Sequence, residues 1–177
     1  MKKIRSYIIA VLSLALLIFI DQITKHLSYV YLADRKEPYT LIKNVLNLTY
    51  LQNDGAAWGM LSGRQWFFII LTVLMVVVIA YVYIKTPRNS KYFPLRATLI
   101  ALEAGAIGNL IDRVIFRYVR DFIELAFIDF PVFNFADICV SVSMVVLIIL
   151  IFFVYRGKND FAFLRFSGKG TNHDNEQ

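Results

Sequence analysis

Apolar residues gather into four runs along the chain, at about residues 6–20 (continuing to 32), 66–84, 97–115 and 138–155. A helix that crosses a bilayer needs about 20 mostly apolar residues, with about 17 the practical minimum. All four runs meet that length, the first only if Asp21 and Lys25 lie inside it. Between the first two runs, Thr40-Leu41-Ile42-Lys43-Asn44-Val45-Leu46-Asn47-Leu48-Thr49-Tyr50-Leu51 is β-prone and partly alternating, and Gln52-Asn53-Asp54-Gly55 closes it with a turn signal. The segment 116–134 is β-prone around 116–122 and is a candidate to pair with it. The pattern predicts an all-α membrane protein, with four transmembrane helices and a small extracytoplasmic β element. After the turn, Ala56-Ala57-Trp58-Gly59-Met60-Leu61 is apolar but too short to span, and reads as interfacial between Trp58 and Trp66.

Composition agrees: of 177 residues, 58% are hydrophobic, more than water alone explains as a solvent for the fold. The net charge of +6 changes the picture only through its location. Lys2, Lys3 and Arg5 precede the first run; Lys85, Arg88, Lys91 and Arg96 fill the second link; Arg156, Lys158, Arg165 and Lys169 follow the fourth. Alternating spans put all three groups on one side, the positive-inside pattern, so both termini are expected in the cytoplasm. The basic residues therefore report topology, and no nucleic-acid partner is called for. The start resembles a signal peptide but lacks small residues after its apolar core, so it is expected to remain as the first span. Cys139 is the only cysteine, which excludes an internal disulfide and a thiolate metal cluster. One membrane domain is expected over residues 1–166, with a polar, disordered tail over 167–177 and the stretch 161–166 resting on the inner membrane surface.

Two aspartates stand between the last two runs, Asp121 in Arg120-Asp121-Phe122 and Asp137 in Phe133-Asn134-Phe135-Ala136-Asp137. If both runs span, both carboxylates emerge at one membrane face, where two neighbouring carboxylates do not easily both ionise. That is the electrostatic arrangement of an aspartic peptidase. Asn134 is a good N-cap and sets Asp137 at the third helical position, where the helix field favours its ionised form and leaves the shared proton to Asp121. Ordinary explanations stand beside this one: a helix-start acid at Asp137, and an exposed ion pair of Asp121 with Arg120. In the third run Ala101, Gly105, Gly108 and Asn109 form a small-residue stripe for close helix approach. Arg113 is expected to find a partner in Asp112 or Asn109, and Asn109 and Arg113 to hold the backbone of a bound peptide. Asp21 and Lys25 are an intrahelical pair in the favourable order. Glu103, inside the third run, has no evident partner in the sequence.

Five ordered stretches together resemble the lipoprotein signal peptidase family. They are Asp21-Gln22-Ile23-Thr24-Lys25, Asn53-Asp54-Gly55-Ala56-Ala57-Trp58-Gly59, Gly105-Ala106-Ile107-Gly108-Asn109-Leu110-Ile111-Asp112-Arg113, Val119-Arg120-Asp121-Phe122 and Phe133-Asn134-Phe135-Ala136-Asp137. The resemblance covers nearly the whole chain; Glu103-Ala104 and Trp58 are small departures from the family's pattern. It implies an aspartic endopeptidase that cleaves prolipoproteins before a diacylglyceryl-modified cysteine, in a bacterial cell membrane, with the active site on the outer face. Carried onto these positions, it implies that Asp121 and Asp137 are catalytic. Asn53, Asn109, Arg113 and Asn134 match its substrate-pocket positions, and Asp21, Lys25, Gly55 and Asp112 support the pocket. Lipidated signal peptides and membrane lipid are the implied partners; no metal or other cofactor is. The segment 53–59 is expected to close over the bound lipopeptide. A small proton-coupled transporter is the alternative use of paired membrane carboxylates, though it more often carries them near the midplane between repeated halves.

Overall fold

The computed structural model describes residues 2–55, 63–157 and 159–164. The expected tail over 167–177 lies outside them, as do Ala56, Ala57, Trp58 and Gly59 of the expected closing segment. Four long helices carry the fold: α1 (Lys2–Leu32), α2 (Gln65–Lys85), α3 (Phe93–Phe116) and α4 (Phe135–Ile149), the last continued by a π-helical turn at Leu150–Val154. Among the described residues, three are long and apolar enough to cross a membrane, spanning Ile4–Leu32, Gln65–Lys85 and Phe135–Val154. Their outward residues, such as Ile70, Leu74 and Val77 on α2, are exposed in the isolated chain and face where lipid would lie.

The fourth helix, α3, is also long enough, at 24 residues or about 36 Å by helical rise, but it carries Arg96, Glu103, Asp112 and Arg113. It tolerates them because it is central: α1, α2 and α4 all pack against it. The stripe in its sequence makes two of those approaches. A Cβ at Gly105 would stand 2.5 Å from the Ala136 carbonyl oxygen, and one at Gly108 would stand 2.5 Å from Asp21 Oδ2. Neither distance is sterically possible, so α4 and α1 lie where only glycine admits them.

Three antiparallel strands form one sheet in the order β1 (Tyr39–Ile42), β2 (Leu46–Asn53), β3 (Val119–Leu125). The first two make a hairpin whose turn includes Asn44 at φ 59°, a left-handed position that asparagine tolerates. β3 follows α3 almost directly, because Arg117 ends the helix in the left-handed conformation. The β-prone character of the segment after the third run is thereby realised as an edge strand paired with the central β2.

At the opposite end of the helices a packed cluster of Ile79, Tyr92, Leu95, Leu99, Leu102, Leu150 and Tyr155 ties α2, α3 and α4 together. Phe161 and Phe163 are half-buried and pack against this cluster. Asp160 fixes them there, pairing with Lys91 and accepting through its carbonyl from Tyr92 Oη at 2.8 Å. Arg165 and Phe166 of that expected surface stretch lie outside the described residues.

Candidate active site

The site forms where the sheet meets the ends of α3 and α4. β2 pairs with β3 so that Asn53 lies opposite Val119 and Leu51 opposite Asp121. Asn53 and Asp121 are therefore diagonal neighbours, and the Asn53 Nδ2 donates to Asp121 Oδ2 at 2.8 Å. Asn53 Oδ1 in turn accepts from the Gly55 backbone N–H at 3.0 Å, so the turn after β2 is fixed by the same side chain. The other oxygen of Asp121 accepts from Asn134 Nδ2 at 2.6 Å.

Asn134 joins the two aspartates. Phe133 pairs with Ile123 of β3, which carries the chain back to the sheet two residues before the helix begins. Asn134 then caps α4: its Oδ1 accepts from Asp137 N–H at 3.1 Å, and its own N–H donates to Asp137 Oδ2 at 3.0 Å. Asn134 is thus the N-cap and Asp137 the third helical residue, as expected from the sequence, and the two bonds together make a reciprocal capping box. One residue thus touches Asp121 with its side chain and Asp137 with its backbone. The second oxygen of Asp137 accepts from Asn109 Nδ2 at 2.8 Å.

Asp121 is almost fully buried. Burial first, and the Asp137 charge second, push its carboxyl up to about 7, against the lowering effect of the Asn53 and Asn134 amides. Both aspartates line a cavity of about 540 Å³ with Asn53, Gly55, Asn109 and Arg113, and with apolar walls that include Leu125, Phe130 and Val142. Asn134 lies just behind it, fully buried. Arg113 stacks near Phe68, its guanidinium carbon 5.2 Å from the ring centre, and its Nε is buried without a hydrogen-bond partner among the described residues.

A second layer of charge lies beneath. Lys25 Nζ meets Asp21 Oδ2 at 2.9 Å, Asn109 Oδ1 at 2.8 Å and Asp112 Oδ2 at 3.8 Å. By occupying the Asn109 oxygen, Lys25 together with the Asn134 amide at 3.2 Å turns the Asn109 amide nitrogen toward Asp137. Asp21 Oδ1 accepts from the Ala136 backbone N–H at 3.0 Å, which anchors the first turn of α4 to α1. Asp112 does not pair with Arg113 as the sequence suggests. It takes the Arg120 guanidinium at 2.7 and 3.0 Å and the Arg120 backbone N–H at 3.0 Å. Arg120 is accordingly buried, not in an exposed pair with Asp121, and its bonds clamp β3 to the end of α3. Gln22 completes the layer, bonding Asp21, Asp112, the Gly108 carbonyl and Arg120. The roles of Gln22 and Arg120 were not apparent from the sequence; membership in the Asp21–Lys25 and Val119–Phe122 motifs is the only signal that marks them.

A buried carboxylate and a half-buried one sharing an asparagine, at an open cavity with apolar walls, can divide one proton between them and act on a bound water. The family described as signal peptidase (SPase) II matches residues 13–153. The chain belongs to the signal peptidase II family. A lipoprotein signal peptidase of Lactococcus lactis subsp. cremoris (strain MG1363) is 42% identical over 153 residues, covering 85% of this chain and 95% of that protein. One from Caldanaerobacter subterraneus subsp. tengcongensis is 45% identical over 145 residues, covering 81% and 96%. The fold is similar to a bacterial membrane enzyme solved by the in meso method at 1.9 Å, with TM-score 0.71 and 33% identity over 81% of this chain and 92% of that one. These likenesses agree with the expected four-helix membrane architecture and lend no support to a transporter.

Proposed function

We propose that this membrane peptidase removes signal peptides from prolipoproteins, using Asp121 and Asp137 as an aspartic dyad to hydrolyse the bond before a diacylglyceryl-modified cysteine. Membership in the signal peptidase II family supports the reaction class. The observation that carries the mechanism is Asn134, which bonds both carboxylates at once. Asp137, at the third position of α4, has a helix N-terminus that favours its anion. Asp121, pushed up to about 7, is the member assigned the proton, which it holds below that pH and gives up as pH rises through it. In this reading ionised Asp137 takes a proton from a water as its oxygen bonds the scissile carbonyl carbon. Asp121 gives its proton to the carbonyl oxygen, forming a tetrahedral diol. As the diol collapses, its hydroxyl proton returns to Asp121 and Asp137 passes the water's proton to the departing amine, which restores the starting state.

Arg113 and Asn109 face the same cavity and are assigned to the peptide backbone, with the buried Arg113 Nε left to be satisfied by a substrate carbonyl. Asn53 and Asn134 hold Asp121, while Asp21, Lys25 and Asp112 hold Asn109 and the start of α4. Gly55 borders the cavity mouth. The apolar wall suits acyl chains and an apolar signal helix. The basic links support a topology with the termini in the cytoplasm and the dyad on the outer face of the bacterial membrane. Purified protein in detergent, given one prolipoprotein with and without the diacylglyceryl group, tests the reading. Cleavage of the lipidated form alone is expected; equal cleavage of both forms, or of neither, refutes it.

A further inference from the structure

We infer that the groove between α1 and α3, at the end of the molecule remote from the aspartates, is a binding site for an anionic phospholipid of the surrounding bilayer. α1 and α2 each pack on α3 rather than on one another. The shared surface is left as a groove of about 630 Å³ whose lining includes Arg5 and Leu17 of α1 and Arg96 and Ile100 of α3. Arg5, Ile9, Ser13 and Leu17 recur every four residues, so they form one wall along one face of α1. Arg96 and Ile100 are spaced the same way on α3.

Among the described residues, the two charged groups that line the groove are both guanidinium groups, and no acid lines it. Arg96 is held there, its Nη1 donating to the carbonyls of Pro87 and Asn89. Guanidinium groups match phosphate oxygens in geometry and charge. Away from the arginines the lining is mainly apolar, with Ile9, Leu17 and Ile100. From Arg5 to Leu17 the helical rise covers about 18 Å, close to one leaflet's share of a hydrocarbon core about 30 Å thick. A phosphate at the arginines would therefore send an acyl chain along the groove to roughly its full leaflet depth. Free phosphate would satisfy the rim and leave the apolar walls uncovered, which is why the assigned occupant is a lipid. Binding would link α1 to α3, the two helices that carry Lys25 and Asn109.

The test uses the full chain in detergent, titrated with phosphatidylglycerol or phosphatidylcholine of identical acyl chains and read by native mass spectrometry. Phosphatidylglycerol is expected to bind about fivefold tighter or more, a preference that Arg5→Gln should cut to about twofold or less. Ser13→Trp, which fills the groove below the rim, should abolish saturable binding while leaving prolipoprotein cleavage intact. Excess inorganic phosphate should leave the lipid bound. Equal binding of the two lipids, or a preference unchanged in both variants, overturns the assignment; displacement by phosphate alone reduces the site to an anion rim and overturns it as well.

Discussion

Lys25→Met isolates the charge layer under the aspartates. Asp21, Asp112, Lys25 and Arg120 form a buried set of two acids and two bases joined at 2.7–3.8 Å. Lys25 is fully buried, so methionine keeps most of its volume and removes the ammonium. Asp112 retains Arg120, whereas Asp21 is left with only the uncharged Gln22 amide and Ala136 N–H. An unpaired buried charge of this kind costs about 3–5 kcal/mol when its partner is removed. Asp21→Asn in the same chain restores charge balance and keeps an oxygen for Ala136 N–H, so the double variant should recover about 1–3 kcal/mol of that loss. Reversible unfolding in mixed micelles measures the stability, and cleavage of a lipidated prolipoprotein measures activity. Lys25→Met should also lower the rate, because the Asn109 oxygen loses its charged donor and keeps only the Asn134 amide at 3.2 Å, which holds the Asn109 nitrogen less firmly toward Asp137. Stability of Lys25→Met within about 1 kcal/mol of the parent, or a double variant less stable than Lys25→Met, would refute the reasoning.

Other outcomes follow from the same geometry. Asp121 is raised to about 7 by burial and Asp137, so cleavage at pH below 7 should hold steady until Asp137 is protonated and should decline as pH rises through about 7 and Asp121 loses its proton. Asn53→Ala removes a donor that favours the anion, so it should move this alkaline limb to higher pH; a limb that stays put or moves down excludes Asp121 as the acid. Glu103 Oε2 is buried without a hydrogen-bond partner among the described residues, and Glu103→Leu should stabilise the protein by about 1–3 kcal/mol in micelle unfolding. Labelling from outside intact cells, in a Cys139→Ser background, should reach a cysteine at position 36 or 129 and miss one at 91.

The apolar runs made the helices legible, because lipid imposes a length and a composition that few other environments demand. The ends of the runs were less so. α3 begins at Phe93, four residues before its apolar run, because Pro94 suits the first turn and needs no apolar neighbours. Asn134 and Asp137 could be read directly, since a capping box is local in sequence. Asn53 and Asp121 meet only through the register of β2 on β3, which depends on a bulge between Leu48 and Leu51 that no short pattern announces. The pairing of Asp112 with Arg120 was misjudged for a related reason. The left-handed turn at Arg117 reverses the chain, so the residue eight positions on reaches Asp112 while its neighbour Arg113 points into the cavity.

The dyad itself is tested most directly by the turnover of lipidated prolipoprotein with purified Asp121→Asn and Asp137→Asn proteins. Asparagine keeps the shape of each side chain and removes its ability to take up or release a proton, and Asn134 continues to border the site in either variant. Unfolding midpoints close to that of the parent would confirm that only the chemistry has been altered. The account predicts that each change lowers the cleavage rate by about 10²–10⁴-fold or more, the usual worth of positioned acid–base groups. A folded variant that cleaves within a few-fold of the parent would contradict it.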